Sequence, residues 1–142
     1  MDLVARFEAY AADFESTYAD DDWSRLERYF TEDAVYSTPA NGVRIPGRAS
    51  VLAVLQAAVS GFDRRCDSRR LVTTDGPRQE GNQVLREWSA VYTVAGAPDL
   101  EVSGSERAVY RGDRIELLEV VLTREMLARL IAFSGQHLAS RG

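Results

Sequence analysis

The stretch LEVSGSERAVY, residues 100–110, is the part of the sequence from which the fold can be worked out. Its side chains alternate in character, as in a β-strand with one face toward the core and the other toward solvent. Apart from Glu106, the even positions carry small and apolar residues, namely Val102, Gly104, Ala108 and Tyr110, whereas the odd positions are mostly polar. The stretch therefore predicts a strand that directs one carboxylate, that of Glu106, toward the interior.

Three further strand-like runs flank this stretch in the second half of the chain. They are SRRLVTT (68–74), NQVLREWSAVYTV (82–94) and RIELLEVVLT (114–123), and the segments DGP, AGAPD and RGD separate the four runs. Short connections rich in Gly, Pro and Asp favour hairpins. The second half is thus predicted to form an antiparallel meander, and the length of its strands indicates a curved sheet.

The first half of the chain has mainly helical periodicity. The predicted elements are a helix over 3–18, a short helix over 23–30 capped by Asp21 or Asp22, a strand over 34–39, a loop over 40–47 and a helix from about Gly47 to 61–65. A last helix is predicted from the apolar stripe Met126, Leu127, Leu130 and Ile131, and a polar tail follows from Ser134. This order of elements indicates a single α+β domain, residues 1–142.

Composition excludes several classes of protein. The chain has 142 residues, a formal charge of −5 and no lysine among its 17 basic residues. The negative charge argues against a nucleic-acid-binding protein, because such binding depends on neutralising phosphates. The absence of lysine excludes Schiff-base chemistry on a lysine amine. The cluster DRRCDSRR (63–70) is interpreted as solvated arginines at a helix C-terminus, where cations oppose the helix dipole.

Cys66 and His137 are the single residues of their types. One cysteine cannot form an internal disulfide, and one cysteine with one histidine does not supply the usual ligands of a transition-metal site. We therefore expect no metal, no cofactor, an inert Cys66 thiol and an exposed, non-catalytic His137. No apolar run approaches the roughly 20 residues of a membrane span. Because Asp2 and Glu8 lie within the first ten residues, we expect a cytoplasmic protein without membrane contact.

The strand before the opening stretch places further residues beside Glu106. Its even positions include Arg86 and Trp88, which are then directed toward the interior as well. If the AGAPD loop pairs Val94 with Leu100, Trp88 lies opposite Glu106 and Arg86 lies on its diagonal, within reach of a long side chain. An interior arginine close to an interior carboxylate is thus expected.

The strand after the opening stretch allows two registers. A two-residue turn in RGD would place Glu119 opposite Glu106 on the interior face. A three-residue turn would place Leu118, Val120 and Leu122 inside and Glu119 outside, because a slip of one residue reverses the faces. The second register is favoured, since it avoids two buried carboxylates that repel each other. The pair of Glu106 with Glu119 remains the alternative.

The stretches WSRLERYFTEDAVYSTP (23–39) and GRASVLAVL (47–55), together with the element order, resemble the nuclear transport factor 2-like superfamily. This superfamily includes SnoaL-like polyketide cyclases, ketosteroid isomerases, limonene epoxide hydrolases and small dehydratases. The resemblance implies a cone, in which a bent sheet wraps around the helices and an apolar cavity opens at one end. It also implies a homodimer formed through the outer face of the sheet, which here carries Leu85, Val91 and Val109.

Site residues match the ketosteroid isomerase pattern only in part. Phe14 falls at the position of that family's oxyanion-hole tyrosine, and Thr38 falls at the position of its general-base aspartate. Glu106 falls at the position of its second oxyanion-hole acid. The resemblance therefore implies that the interior acid is kept while the base is lost, which argues against steroid isomerisation.

The limonene epoxide hydrolase triad of two aspartates and one arginine is also incomplete. Arg86 matches the arginine of that triad. Trp88 occupies the position of one aspartate, and Glu119 or Val120 occupies the position of the other.

The resemblance to SnoaL-like cyclases implies an acid–base reaction on a carbon acid, without metal or cofactor. Such a reaction needs an apolar pocket, a carboxylate that takes and returns a proton, and donors for the enolate oxygen. We predict that Glu106 is the proton carrier and Arg86 the adjacent cation, for a small hydrophobic substrate with a carbonyl or an epoxide. The predicted lining residues or donors are Phe14, Tyr18, Tyr36, Thr38, Trp88 and Tyr110.

Two alternatives to catalysis stay open at this point. Arg86 and Glu106 can be a buried ion pair that holds the sheet together, in which case removal of one partner costs about 3–5 kcal/mol. The protein can also bind an apolar ligand, or supply a dimerisation surface, without catalysing a reaction, because one fold hosts many functions.

Overall fold

Helices and strands occupy most of residues 2–139, which are the residues that the computed structural model describes. The helices are α1 (Leu3–Asp20), α2 (Arg48–Gly61) and α3 (Arg124–Phe133). The strands are β1 (Phe30–Thr38), β2 (Val43–Pro46), β3 (Ser68–Glu80), β4 (Gln83–Thr93), β5 (Leu100–Arg111) and β6 (Arg114–Val121). Short 3₁₀ helices span Trp23–Tyr29, Pro39–Asn41 and Asp63–Arg65. The predicted α+β class is confirmed.

Within these residues the strands form one curved, mixed sheet in the order β2-β1-β6-β5-β4-β3. The neighbours from β3 to β6 are antiparallel and follow chain order, which confirms the predicted meander. β1 runs parallel to β6. The prediction that 40–47 is a loop was wrong, because β2 lies between the turn glycines Gly42 and Gly47 and pairs with β1.

The first hairpin turn of the meander lies further along the chain than predicted. The segment DGP belongs to β3, and the strand turns instead at Gly81 and Asn82, between the paired residues Glu80 and Gln83. Irregular pairing around Asp75 accommodates the proline. A proline is tolerated there because β3 is an edge strand of the sheet.

The pairing of β4 with β5 differs from the predicted register by two residues. Tyr92 pairs with Leu100, so that Arg86 lies directly opposite Glu106 and Trp88 lies opposite Gly104. The AGAPD connection is therefore longer than the sequence suggested. The faces are unchanged, because a shift of two residues preserves the alternation of a strand.

The pairing of β5 with β6 contains one extra residue, Glu116. Tyr110 pairs with Ile115 but Val109 pairs with Leu117, which is a β-bulge. The bulge brings Val120 opposite Glu106 and directs Glu119 outward, as the favoured register predicted. The turn itself has two residues, so the bulge and not a longer turn produces this register.

Two clusters of buried side chains form the core. The larger one joins α1, α2 and the middle of the sheet, and Phe7, Leu26, Phe30 and Val51 are almost fully buried in it. The smaller one lies under α3, where Phe133 and Leu138 are buried. The predicted stripe of α3 was wrong at Ile131, which is 66% exposed. The predicted polar tail was wrong at Leu138, because a π-helical turn over Ser134–Leu138 returns that side chain to the core.

No helix among residues 2–139 is long and apolar enough to cross a membrane.

Gly104 is the point at which β5 approaches its neighbours most closely. A Cβ atom there would lie 2.8 Å from Trp88 Cζ2, from Leu122 Cδ2 and from the carbonyl oxygen of Val121. Because a carbonyl oxygen of the backbone cannot move without shifting β6, Gly104→Ala is expected to lower the free energy of unfolding by about 1–3 kcal/mol. Denaturant unfolding of the purified variant measures this loss.

Gly61→Ala is the matched control, because a Cβ atom at Gly61 meets no atom within 4 Å and the residue ends α2 in a conformation open to alanine. This control should be neutral or slightly stabilising. Equal stability of the Gly104 variant and wild type would show that β5 is not constrained at this position.

Candidate active site

A cavity of about 420 Å³ opens between α1, α2 and the inner face of the sheet. Its walls are mostly apolar. The side chains that line it include Tyr10, Phe14, Glu15, Tyr36, Leu55, Val59, Asp63, Arg69, Leu71, Arg86, Trp88, Tyr92, Glu106, Leu118 and Val120. The volume lies within the range of small-molecule sites, which is about 300–1,000 Å³.

Glu106 and Arg86 form an ion pair in the wall of this cavity. They are cross-strand partners on β5 and β4, and an Arg86 Nη2 hydrogen donates to Glu106 Oε1. Both side chains are nearly buried, with 9% of Glu106 and 13% of Arg86 exposed. The Arg86 guanidinium also lies over the Phe7 ring, 5.2 Å from its centroid. Burial raises the pKa of the Glu106 carboxyl, and the charge and hydrogen bond of Arg86 oppose this rise without cancelling it.

Tyrosine side chains surround the Glu106 carboxylate. Burial raises the pKa of Tyr10 and of Tyr36, and the negative charge of Glu106 raises both further. Both residues line the cavity, so each can present a neutral hydroxyl to a bound molecule. Tyr10 was not among the residues predicted for the site, because helical spacing does not distinguish a core position from a cavity wall.

A second cluster of charges lies at the cavity rim, where α1 faces β3. Arg69 Nη1 and Nη2 donate to the two carboxylate oxygens of Glu15 at 2.7 and 3.2 Å, and Arg69 Nε lies 2.8 Å from Asp63 Oδ2. The Arg69 side chain is 5% exposed and that of Asp63 15% exposed. The prediction that 63–70 is a set of solvated arginines was therefore wrong for Arg69. It was also wrong for Arg64, which donates to the carbonyl oxygens of α1 at Thr17 and Tyr18.

Burial raises the pKa of the Asp63 carboxyl to about 6. Arg69 lowers this pKa, and the Glu15 carboxylate, which shares the same arginine, raises it. Sequence analysis did not single out Asp63 or Arg69, because nothing in the chain indicates that the residues after α2 face α1. One pattern in the sequence could have identified Arg69 as inward-facing, namely its alternation with Leu71 and Thr73 on the inner face of β3.

Five of the eight residues predicted for the site line the cavity, namely Glu106, Arg86, Phe14, Tyr36 and Trp88. Tyr18 instead stacks on the far side of Arg69, whose Cζ lies 4.7 Å from the ring centroid. Thr38 hydrogen-bonds Asn41 at the end of β1. Tyr110 is in the core, and its hydroxyl has no hydrogen-bond partner among residues 2–139. These three side chains make other contacts and do not line the cavity.

No three His, Cys, Asp or Glu side chains in the described part of the chain are grouped so that they could hold a metal ion. His137 is partly buried and packs against the Phe133 ring, 4.9 Å between centroids. Cys66 is buried in the smaller core cluster. The groups available for chemistry at the cavity are therefore carboxylates, arginines and tyrosine hydroxyls.

A bent sheet that closes over helices around an apolar cavity with an interior acid defines a class of α+β cone proteins. The model of the SnoaL-like domain family matches residues 8–121. The chain belongs to the SnoaL-like domain family, as the resemblance indicated. No curated protein sequence matches the chain.

Solved structures of the same fold cover nearly the whole chain. TerC, co-crystallised with polyporic acid, has a TM-score of 0.69 and 14% identity, over 93% of this chain and 99% of that one. An LEH-like epoxide hydrolase of M. tuberculosis has a TM-score of 0.62 and 16% identity, over 92% and 90%. A SnoaL-like protein of Shewanella denitrificans has a TM-score of 0.65 and 12% identity, over 88% and 96%. At these identities the likeness shows the fold alone.

The burial of the Asp63 carboxyl predicts that the free energy of unfolding depends on pH. Its carboxyl has a pKa of about 6 in the folded protein, against an ordinary value of 3.8, so the folded state binds the proton more tightly than the unfolded chain does. The stabilisation is complete below pH 3.8 and is lost as the pH rises through about 6. Between about pH 4 and pH 7, wild type should therefore lose on the order of 2–3 kcal/mol relative to Asp63→Asn.

Denaturant unfolding of both proteins at the two pH values measures this difference, and contributions of the other titrating groups cancel between them. A constant difference across this range would show that Asp63 is ionised as readily in the folded as in the unfolded chain.

Proposed function

We propose that this protein is a cofactor-independent acid–base enzyme that acts on a small hydrophobic carbonyl or epoxide bound in the cavity. The main support for this proposal is the location of the Glu106 carboxylate, which lies in the wall of a mostly apolar cavity beside Arg86. One structure of the same fold is named as a SnoaL-like polyketide cyclase, and another is an LEH-like epoxide hydrolase. Reactions of these kinds fit a site that offers a carboxylate and hydrogen-bond donors.

The proposed proton carrier is Glu106. Burial raises the pKa of the Glu106 carboxyl, and a carboxylate with a raised pKa is a stronger base, which favours general acid–base catalysis. In the carbonyl case, the Glu106 carboxylate removes a proton from the carbon beside the carbonyl, the electron pair moves to the carbonyl oxygen, and the proton returns at another carbon. The enzyme is then unchanged and no other reactant is consumed.

Arg86, Tyr10 and Tyr36 are the proposed donors to the oxyanion. Arg86 Nη2 donates a hydrogen bond to Glu106, and the buried Arg86 Nε has no hydrogen-bond partner among residues 2–139. A positive charge and neutral hydroxyls around a low-dielectric site stabilise a developing oxyanion strongly. These donors replace the one that is missing at Phe14.

Glu106→Gln tests the proposal, because it keeps the shape and hydrogen bonding of the side chain and removes proton exchange. We expect the rate with an activated carbonyl or epoxide substrate to fall by about a hundredfold or more. The free energy of unfolding should change by less than about 1 kcal/mol, since Gln Oε1 can still accept from Arg86. Turnover and denaturant unfolding of the same preparation provide the two measurements.

Glu119→Gln is the matched control. Glu119 pairs with Arg107 across the adjacent strands, but on the outer face of the same sheet, with Nη2 to Oε2 at 3.3 Å. This variant should keep full activity. A loss of about 3–5 kcal/mol in Glu106→Gln would instead identify the buried pair as structural, and full activity of a stable Glu106→Gln would favour a protein that binds a ligand without catalysis.

We also propose that the protein forms a homodimer through the outer face of the sheet. The residues Leu85, Val91 and Val109 are partly exposed on this face, and Leu117 pairs with Val109 beside them. The same face carries the oppositely charged Arg107 and Glu119, so that two copies related by a twofold axis can match apolar and charged groups. A stable interface of this kind buries about 1,200–2,000 Å² in total.

Sedimentation velocity at micromolar concentration should accordingly show a dimer, and Val109→Glu should convert it to a monomer, because the new carboxylate would be buried between the subunits. Ile131→Glu is the control, since Ile131 is exposed on α3, away from the sheet face. A monomeric wild type would contradict the proposal.

A further inference from the structure

The charges at the two ends of the cavity are balanced differently. At one end Arg86 faces the single carboxylate of Glu106. At the rim one arginine, Arg69, is shared by the two carboxylates of Glu15 and Asp63. The rim cluster therefore carries one more negative charge than positive charge when its three members are ionised, and all three line the cavity.

The register of the sheet separates these two clusters. Arg69 pairs with Tyr92, and Glu106 pairs with Arg86, six residues away on the same face of β4. At about 3.4 Å per residue, the two pairs of backbone positions lie roughly 20 Å apart along the strand. Trp88 lies between them, and its ring forms part of the apolar wall. A molecule that contacts both clusters must therefore be elongated.

We propose that Asp63, held by Arg69, is a binding subsite for a cationic or hydrogen-bond-donating group at one end of an elongated apolar substrate, whose other end reacts at Glu106. Binding at Asp63 does not require catalysis, whereas reaction at Glu106 rests on the function proposed above. The substrate class is thus narrowed to neutral or cationic molecules with a polar group at each end.

Among residues 2–139, Arg69 is the cation that pairs with the Asp63 carboxylate. The neighbouring Arg64 binds Asp21 and carbonyl oxygens of α1, and Arg65 donates to the carbonyl oxygens of Gly61 and Leu138. The titratable groups that face Asp63 besides Arg69 are Glu15 on α1, Tyr18 on α1, Tyr92 on β4 and Cys66. Each of these is neutral or negative, so an anionic group would be repelled here.

The pKa of Asp63 gives this subsite a pH response. With a pKa of about 6 the carboxyl is ionised at neutral pH, where it attracts a cation, and protonated in mild acid, where it does not. The response needs no substitution at Asp63 to be observed, and it therefore remains testable if a variant at Asp63 fails to fold.

Three probes with the same biphenyl core test the subsite by calorimetry: 4-(aminomethyl)biphenyl, 4-(hydroxymethyl)biphenyl and biphenyl-4-carboxylate. At about pH 7.5, wild type should bind the ammonium probe about tenfold more tightly than the carboxylate probe, as expected for a partly desolvated charge pair. Asp63→Asn should remove most of this preference, and Glu106→Gln should preserve it.

The pH arm compares the ammonium probe with the neutral alcohol in the Glu106→Gln protein, so that titration of Glu106 does not contribute to the response. The preference for the ammonium probe should disappear between about pH 7.5 and pH 5. A preference that is lost in Glu106→Gln but kept in Asp63→Asn would overturn the subsite and place the cation beside Glu106.

Binding of all three probes with equal affinity would overturn the subsite and leave the role of Glu106 in place. Binding of none of them at millimolar concentration would overturn the subsite together with the proposed use of the cavity. Loss of activity in Glu106→Gln with unchanged probe preference would support both proposals independently.

Discussion

The inner face of the cone depends on one extra residue in β6. Glu116 is unpaired in the bulge between Ile115 and Leu117, and the strand on either side of it follows two registers that differ by one. Without the bulge, the register of the turn would continue and Glu119 would lie opposite Glu106. With it, Val120 takes that place and Glu119 pairs with Arg107 outside. A single bulge thus keeps a second carboxylate out of the cavity and leaves Glu106 with one cation.

With Glu119 outside, the cavity holds two charge clusters that differ in their balance of charge. Deep in the wall, the pair of Arg86 and Glu106 is balanced, which limits the cost of burial. At the rim, the Glu15 side chain is 47% exposed, so an unbalanced cluster with Asp63 is tolerated there. The excess negative charge therefore lies at the end of the cavity where Glu15 is exposed.

Local patterns were sufficient to predict the faces of the strands but not their alignment. Alternation in β4 and β5 identified Arg86 and Glu106 as interior, because which face a side chain occupies depends only on its own strand. The offset between strands depends on loop length and on bulges, which leave no periodic signal. The AGAPD connection was consequently read two residues too short, and the correct orientation of Glu119 was reached through a turn that does not exist in the structure.

The rim residues Asp63 and Arg69 were missed for a different reason. The arginines of 63–70 follow a helix, where solvated cations are common, and a sequence does not reveal that Glu15 lies across from them. Tyr18 and Tyr110 were predicted for the site, but Tyr18 packs on Arg69 and Tyr110 is buried in the larger core cluster. Spacing identifies an inward-facing position, but it does not distinguish a cavity wall from the core. Asp63, by contrast, is in a short 3₁₀ helix, for which spacing makes no prediction.

Helix α1 carries a phenylalanine where the isomerase pattern has a hydroxyl donor, but it offers another hydroxyl one turn away. Phe14 occupies the position at which the isomerase pattern has a tyrosine, and considered alone it suggests a site that has lost its oxyanion donor. Tyr10 lies one helical turn earlier on the same face of α1, lines the same cavity and is close enough to Glu106 for that charge to raise its pKa. Because residues four apart share a helix face, a hydroxyl can move along the helix by one turn and stay within the cavity. In the proposed reaction, the oxyanion would therefore be held near Tyr10 and Arg86 instead of near Phe14.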